Sequence, residues 1–315
     1  TSVEQYGTMS PLMDYFGGDL TLQQVLDWCA ANGKKVHLLT PGRGFLWDET
    51  QIEPFFARLA AMPNLDVIET VTIGNEYYVD NPQHGGRMTP EDHARLVNLV
   101  TPHAIMLPPG KVWVQRVPAF RAFDNAPMIA GVSPEMWQHF AGINYHHYAS
   151  NQRQVRMFPV YSSFGPMRYP LMLVGEWNTK FISTETQEGV EQAFDVLEIF
   201  HTMLLNPAVE YAAFWGHLWR SLPNRAATAT AEGVRINATG HMLDSLYDLQ
   251  GWDALPGEWL GLGDREVTFG RGAERVTYFI ADTARGTRAL TRYVIADDPV
   301  TRWSDEGNPL AAVAA

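Results

Sequence analysis

Two kinds of hydrophobic pattern alternate along the first 250 residues of the chain. Short runs rich in Val, Ile, Leu and Thr are typical of the buried strands of a parallel sheet, and between them apolar residues recur at helical spacing. Six such strands are predicted, near residues 36, 68, 112, 143, 171 and 210. This alternation predicts parallel strands joined by right-handed helical crossovers, as in an α/β barrel.

The helices and the C-terminal part of the chain have their own signals. Helices are predicted for residues 22–32, 52–62, 189–205 and 237–249, and a further helix begins after Thr89, where a capping residue precedes Pro90. Beyond residue 250 the apolar period changes to two, with strands at 266–269, 275–280 and 289–295 separated by Gly-containing turns. We therefore predict a barrel domain over residues 1–250 and an antiparallel β module, itself incomplete, over residues 251–315.

The strand count is short of a closed barrel. A (β/α)8 barrel needs eight parallel strands, and the pattern supplies six. Residues 1–20 carry no clear strand–helix–strand unit, so the shortage lies at the front. The expected fold is therefore an α/β barrel that lacks its first strands, followed by the β module. Either the chain is N-terminally truncated, which we favour, or its first strands are irregular. A fragment of this kind would be poorly stable alone, because the open sheet edges lack partners.

Composition excludes several classes of partner. A net charge of −12 argues against binding to a nucleic-acid backbone, and the longest apolar stretches are much shorter than a membrane span. Cys29 is the single cysteine, so an internal disulfide is impossible, and its place in a helical pattern indicates a buried structural thiol. A chain that opens on Thr1 is compatible with a lost leader, which favours a secreted or periplasmic protein and leaves a cytoplasmic one open.

Two glutamates follow apolar runs about one hundred residues apart. Glu76 closes the run at 71–76, and Glu176 closes the run at 171–176. Because α/β barrels build their active sites at the carboxyl ends of the strands, both carboxylates are expected at the same end of the barrel. Two carboxylates placed in this way can act as a general acid/base and a nucleophile, the pair that glycoside cleavage requires. A surface or structural glutamate is the alternative for each.

Together with His146 and Tyr148 on an intervening strand, these motifs resemble the retaining glycoside hydrolases of clan A. Within the clan, Gly-Asn-Glu at 74–76, Glu-Trp-Asn at 176–178 and the trailing β module are most similar to the α-L-arabinofuranosidase-like family 51 and its relatives in families 39, 79 and 86. The resemblance extends from about residue 5 to residue 295. It implies that Glu76 ends the fourth barrel strand, that Glu176 ends the seventh and that the strand near residue 210 is the eighth.

The resemblance also implies roles for individual residues. Glu76 is the expected acid/base, Glu176 the nucleophile, Asn75 a partner of the sugar 2-hydroxyl, and Trp215 an aromatic platform beneath the scissile bond. A turn Asn and a core Trp are the alternatives for the last two. A retaining mechanism predicts that the two carboxyl groups lie about 5 to 5.5 Å apart.

The strand near residue 143 carries further polar side chains. Strand alternation places Asn144, His146 and Tyr148 on one face, with Tyr145 and His147 on the other. The resemblance assigns His146 and Tyr148 to the pocket, with the tyrosine hydroxyl near the nucleophile. Adjacent histidines also invite a metal interpretation, but a metal site needs further ligands at suitable spacing, and the sequence has no His-x-His or His-x-x-x-His.

We therefore expect a retaining glycosidase without cofactor or metal that acts on a plant or algal polysaccharide or its oligomers. The sugar, the linkage, exo or endo action and the oligomeric state are left open. A carbohydrate-binding barrel without activity, or an inactive fragment, is the alternative, and the presence of both glutamates disfavours a binding-only role. The sequence contains no Gly-x-Ser-x-Gly elbow, phosphate-binding loop or dinucleotide fingerprint.

Overall fold

The computed structural model describes residues 21–80, 87–108, 110, 112–118, 124–179, 190–214, 226–257, 266–282, 288–295, 300–303 and 311–313. The chain divides into two compact units, Thr1–His146 with Tyr161–Gly175 and His147–Val160 with Glu176–Ala315. Within the described residues, no helix is long and apolar enough to cross a membrane.

The described residues form α-helices and β-strands along both units. The helices are α1 (Leu22–Ala31), α2 (Arg43–Trp47), α3 (Ile52–Ala60), α4 (Pro90–Ala104), α5 (Asn125–Gly131), α6 (Pro134–Trp137), α7 (Gln152–Val155), α8 (Val190–Leu204) and α9 (Ala238–Tyr247). The strands are β1 (Val36–Leu39), β2 (Ile68–Thr72), β3 (Val112–Gln115), β4 (Phe140–Ala149), β5 (Ser163–Phe164), β6 (Met167–Arg168), β7 (Leu171–Thr179), β8 (Val209–Phe214), β9 (Ala227–Thr230), β10 (Gly233–Ile236), β11 (Asp253–Leu255), β12 (Glu266–Arg271), β13 (Glu274–Asp282), β14 (Arg288–Ile295), β15 (Val300–Trp303) and β16 (Ala311–Val313).

The six strands predicted from the apolar runs form one sheet in the order β1-β2-β3-β4-β7-β8. Neighbours along β1 to β4 pair in parallel, with helices in the connections. The predicted fold class, a partial α/β barrel followed by antiparallel strands, is therefore confirmed. The expectation for residues 1–20 lies outside the described residues.

Capping residues determine where two helices of the first unit begin. At the start of α1, Thr21 and Gln24 form a reciprocal capping box, and Thr89 does the same with Asp92 at the start of α4. Such boxes satisfy two of the N–H groups that a helix end leaves free. Cys29 is buried in α1, as predicted, and burial raises the pKa of its thiol.

Apolar side chains of the same unit pack into an aromatic cluster. The rings of Phe45 and Phe55 meet edge to face with centroids 5.2 Å apart, and Phe56 lies 5.1 Å from Phe55 in the same geometry. Edge-to-face contact places the positive edge of one ring on the negative face of the other, which adds to the gain from apolar burial. The cluster joins α2 to α3.

The second unit contains the C-terminal antiparallel sheet, in the order β11-β12-β13-β14-β15-β16. His201 of α8 bonds this sheet: its Nε2 lies 3.1 Å from the carbonyl oxygens of both Leu255 and Thr268. A carbonyl only accepts, so Nε2 carries the proton, and burial lowers the pKa of this imidazole. The predicted module strands are present, and the domain boundary after residue 250 stays a prediction.

A histidine of α4 is buried in the first unit without a polar partner among the described residues. His93 of α4 is fully buried and stacks on Tyr77, with ring centroids 4.1 Å apart. Neither ring nitrogen has a hydrogen-bond partner among the described residues. Burial in these surroundings disfavours the charged ring and lowers the pKa of His93 to about 3.

We predict that His93→Phe makes the protein more resistant to acid. Between the ordinary histidine pKa of 6.5 and about 3, the unfolded chain binds a proton that the folded chain excludes, so this residue removes stability as the pH falls. At pH 5 the cost is about 2 kcal/mol, and phenylalanine keeps the stack without the titration. Urea unfolding at pH 7.5 and pH 5 measures the difference. The half-exposed control His241→Phe should lose as much stability on acidification as the wild type, and an equal loss in His93→Phe would refute the assignment.

Candidate active site

The turn after β2 holds Glu76 in an unusual backbone conformation. Gly74 has a φ of +69°, and a Cβ there would lie 3.2 Å from a methyl carbon of Leu96. Its N–H donates to the hydroxyl of Thr40 at the end of β1, at 3.0 Å. Glu76 itself has a φ of +39°, which non-glycine residues rarely adopt. Such strain costs about 1 to 3 kcal/mol and persists where surrounding contacts enforce it, often at functional sites.

The carboxyl group of Glu76 is held by two aromatic side chains. Oε1 accepts a hydrogen bond from the hydroxyl of Tyr78 at 3.1 Å, and Nδ1 of His146 lies 2.9 Å from the same oxygen. The side chain of Glu76 is 27% exposed, whereas that of His146 is 1% exposed. The glutamate is therefore accessible to a ligand from a fixed position, and the histidine supports it from the interior.

The neighbouring Asn75 is half-buried, and its Oδ1 is enclosed without a hydrogen-bond partner among the described residues. A buried amide oxygen without a donor is costly, so this side chain fits a position that gains a partner when a ligand binds. Its predicted contact with a sugar hydroxyl is not tested by this geometry and stays a prediction.

In the second unit, Glu176 is held by Tyr148. The tyrosine hydroxyl donates to Oε2 of Glu176 at 2.6 Å, and both side chains are half-buried. A short O–H···O⁻ bond of this kind favours the ionised carboxylate. The sequence suggested that this strand ends at Glu176. In the structure, β7 continues beyond the glutamate to Thr179.

The two residues that follow Glu176 lie in the interior of the second unit. Trp177 is 2% exposed and packs against Phe200 and Phe214, with centroids 5.8 and 5.1 Å away. Asn178 is fully buried and accepts the N–H of Thr179 at 2.7 Å. The Trp of the Glu-Trp-Asn motif is therefore a core residue.

The residue before Glu176 is a glycine for a steric reason. The N–H of Gly175 donates to Oδ1 of Asn144 at 3.1 Å, and a Cβ on Gly175 would lie 2.4 Å from that oxygen. Any other residue would push the Asn144 side chain away and break the bond. This contact fixes β7 against β4 immediately before the glutamate.

The two adjacent histidines do not act together. His146 faces Glu76, whereas Nε2 of His147 donates to the carbonyl of Gln154 at 3.2 Å. Burial lowers the pKa of His147 to about 4, so this ring is neutral at physiological pH.

Sequence reasoning missed Tyr78, and it placed Gln115 at a strand end near the substrate without finding that it supports Glu76. Gln115 ends β3, is fully buried, and its Oε1 accepts the backbone N–H of Glu76 at 2.5 Å. The available signal was a lone polar residue at the end of an otherwise apolar strand. Trp215, predicted to be the sugar platform, lies outside the described residues.

Comparison with solved structures identifies similar folds. A family 51 α-L-arabinofuranosidase from Thermotoga petrophila RKU-1 matches with a TM-score of 0.57 and 14% identity, over 91% of this chain and 65% of that one. The family 51 α-L-arabinofuranosidase AbfB of Bifidobacterium longum gives 0.55 and 14%, over 87% and 64%. A monomeric β-xylosidase from Caulobacter crescentus CB15 gives 0.55 and 12%, over 86% and 64%.

These matches confirm the predicted resemblance at the level of the fold. No protein-family model matches the chain, and no curated protein matches it. The chain spans somewhat less than two thirds of the length of the solved structures above, at 64 to 65%.

Proposed function

We propose that the protein is a retaining glycoside hydrolase, with Glu76 and Glu176 as its two carboxylates. The observation that carries this proposal is the pairing of each glutamate with a side chain of β4. His146 bonds Glu76 and Tyr148 bonds Glu176, and residues two apart on a strand point to the same face. Each glutamate is thus held by an aromatic side chain of its own unit, as suits a carboxylate that takes part in catalysis.

Glu176 is the nucleophile in this proposal. Its carboxylate attacks the anomeric carbon, the glycosidic C–O bond breaks, and a covalent glycosyl ester forms. The hydroxyl of Tyr148 at 2.6 Å supports this role because it favours the ionised state that a nucleophile needs. The Gly175–Asn144 bond supports it by limiting movement of the strand just before the glutamate.

Glu76 is the general acid and then the general base. It gives a proton to the leaving oxygen as the bond breaks, and it later takes a proton from the water that attacks the ester. Its partly exposed carboxyl group, on a backbone held in a strained conformation, fits a group that must meet both leaving group and water. Asn75 is proposed to bond the sugar 2-hydroxyl, and Trp215 to form the platform.

The proposed substrate is a neutral plant or algal glycan or its oligomers. The similar folds named above are two α-L-arabinofuranosidases and a β-xylosidase, so aryl α-L-arabinofuranosides and aryl β-D-xylosides are the first substrates to test. The net charge of −12 suits an uncharged ligand better than an acidic one.

The test is hydrolysis of these aryl glycosides followed by proton NMR of the first-formed sugar. We predict retention of anomeric configuration, because two inversions in sequence restore it. EDTA should not change the rate, because the two-carboxylate mechanism needs no metal ion. Inversion of the anomeric configuration would reject Glu176 as the nucleophile. A rate that EDTA abolishes and zinc restores would instead indicate that His146 binds a metal ion. Binding of oligosaccharides without hydrolysis would indicate a carbohydrate-binding barrel.

A further inference from the structure

A buried amide links the backbone and the side-chain partner of the proposed acid/base. Gln115 is fully buried at the end of β3. Its Oε1 lies 2.5 Å from the N–H of Glu76, and its Nε2 lies 3.4 Å from Nε2 of His146. The ring then returns to the same glutamate, since Nδ1 of His146 lies 2.9 Å from Oε1 of Glu76. The three residues form a closed ring of hydrogen bonds.

The direction of each bond in this ring follows from one fixed donor. A backbone N–H can only donate, so the end of the Gln115 amide that faces Glu76 must be the oxygen. The other end is then the NH2 group, which also only donates. The nitrogen of His146 that faces it must therefore accept and carries no proton.

The tautomer of His146 follows from this orientation. A neutral imidazole carries one proton, so the proton lies on Nδ1 and is donated to Oε1 of Glu76. The hydroxyl of Tyr78 donates to the same oxygen at 3.1 Å. Oε1 thus accepts two bonds, and the proton that Glu76 transfers is carried by its other oxygen, Oε2.

We propose that Gln115 is a positioning residue that sets the tautomer of His146 and so assigns proton transfer to Oε2 of Glu76. This inference rests on the proposed function of Glu76. In the first step the proton on Oε2 passes to the glycosidic oxygen, which keeps the electron pair of the breaking C–O bond. In the second step Oε2 takes a proton from water, while the water oxygen bonds the anomeric carbon and the bond to Glu176 breaks.

Gln115 also acts on the backbone of Glu76. The positive φ of Glu76 needs an enforcing contact, and the buried Oε1 of Gln115 supplies one to its N–H. One side chain therefore fixes both where the glutamate lies and which of its oxygens carries the proton.

The first measurement is nitrogen-15 NMR of the full chain labelled at histidine, at about pH 8, where an ordinary imidazole is neutral. The His146 signals are assigned by their loss in His146→Asn. We expect a protonated Nδ1 and an unprotonated Nε2. A wild-type ring protonated at Nε2 would overturn the proposal, whatever the activity. This measurement needs no change at Gln115, so it stands even where a variant at that position does not fold.

The second measurement uses Gln115→Glu. Glutamate keeps an acceptor for the N–H of Glu76 but presents an acceptor to His146 in place of a donor, so the ring should gain a proton on Nε2. We expect kcat on glycosides with poor leaving groups to fall about 10- to 100-fold, part of the general acid–base contribution. The pH profile should shift, and KM should change little. The exposed control Gln138→Glu adds the same charge in the same unit and should leave both unchanged.

The outcomes separate the two proposals. An active wild-type enzyme whose Gln115→Glu variant keeps the His146 tautomer and the pH profile would overturn the role of Gln115. An inactive wild-type protein with Nδ1 protonated would reject the glycosidase and, with it, the positioning of a catalytic group by Gln115, whereas the tautomer would stand.

Discussion

Glu176→Ala is expected to reduce turnover of aryl glycosides by about 10⁴- to 10⁶-fold, the scale seen when a catalytic nucleophile is removed. Alanine leaves no group to form the covalent ester, and Tyr148 loses the acceptor that lies 2.6 Å from its hydroxyl. Turnover by the variant is measured as release of the aryl alcohol. The exposed Glu232→Ala, also in the second unit, should keep the wild-type rate.

The reaction of Glu176→Ala with azide tests the role of Glu176 as the nucleophile more specifically. A small anion can enter the space that the missing carboxylate leaves and attack the anomeric carbon once. The rescued product should therefore be a glycosyl azide of inverted configuration, visible by proton NMR. Wild-type activity in Glu176→Ala, or rescue with retention, would remove Glu176 from the mechanism.

Glu76→Ala is expected to separate substrates by their leaving groups. Without the acid, departure of a poor leaving group should slow by about 10²- to 10⁴-fold, the usual contribution of general acid–base catalysis. An activated nitrophenolate leaves without proton assistance, so its release should change little. The measurement is kcat/KM for a series of aryl glycosides plotted against the acidity of the leaving phenol, where the variant should show the steeper slope.

The control for Glu76→Ala is Glu53→Ala, an exposed glutamate of α3 in the same unit. It should reproduce the wild-type slope. A uniform loss across the whole series in Glu76→Ala would contradict the acid role, because it would indicate a defect in binding or folding in place of lost proton transfer.

The fold was largely predictable because its signals are local. Each of the six strands of the parallel sheet contains a short stretch rich in apolar residues, and the longer predicted helices end within two residues of their observed limits. The capping residue Thr89 and the following Pro90 located the start of α4 correctly. The short helices α5, α6 and α7, of four to seven residues, were not predicted, since a hydrophobic period of 3.6 needs several turns to show.

The candidate site was predictable in its residue types and less so in its geometry. Alternation correctly separated His146 from His147, because side chains on a strand point to opposite faces in turn. No local feature of the sequence predicted the positive φ of Glu76, because this conformation is enforced by Gln115, which lies 39 residues further along the chain. The role of Gln115 itself depends on two tertiary contacts, which no periodicity records.

The proposed double displacement is tested most directly by trapping its covalent intermediate. Incubation of the protein with activated 2-deoxy-2-fluoro arabinofuranosyl and xylosyl donors should form a stable glycosyl ester, because the fluorine slows both formation and hydrolysis of the ester, whereas the good leaving group speeds only its formation. Peptide mapping by mass spectrometry should place the added sugar on Glu176. An active enzyme that carries the label on another residue, or that hydrolyses its substrates with inversion and forms no ester, would contradict the account.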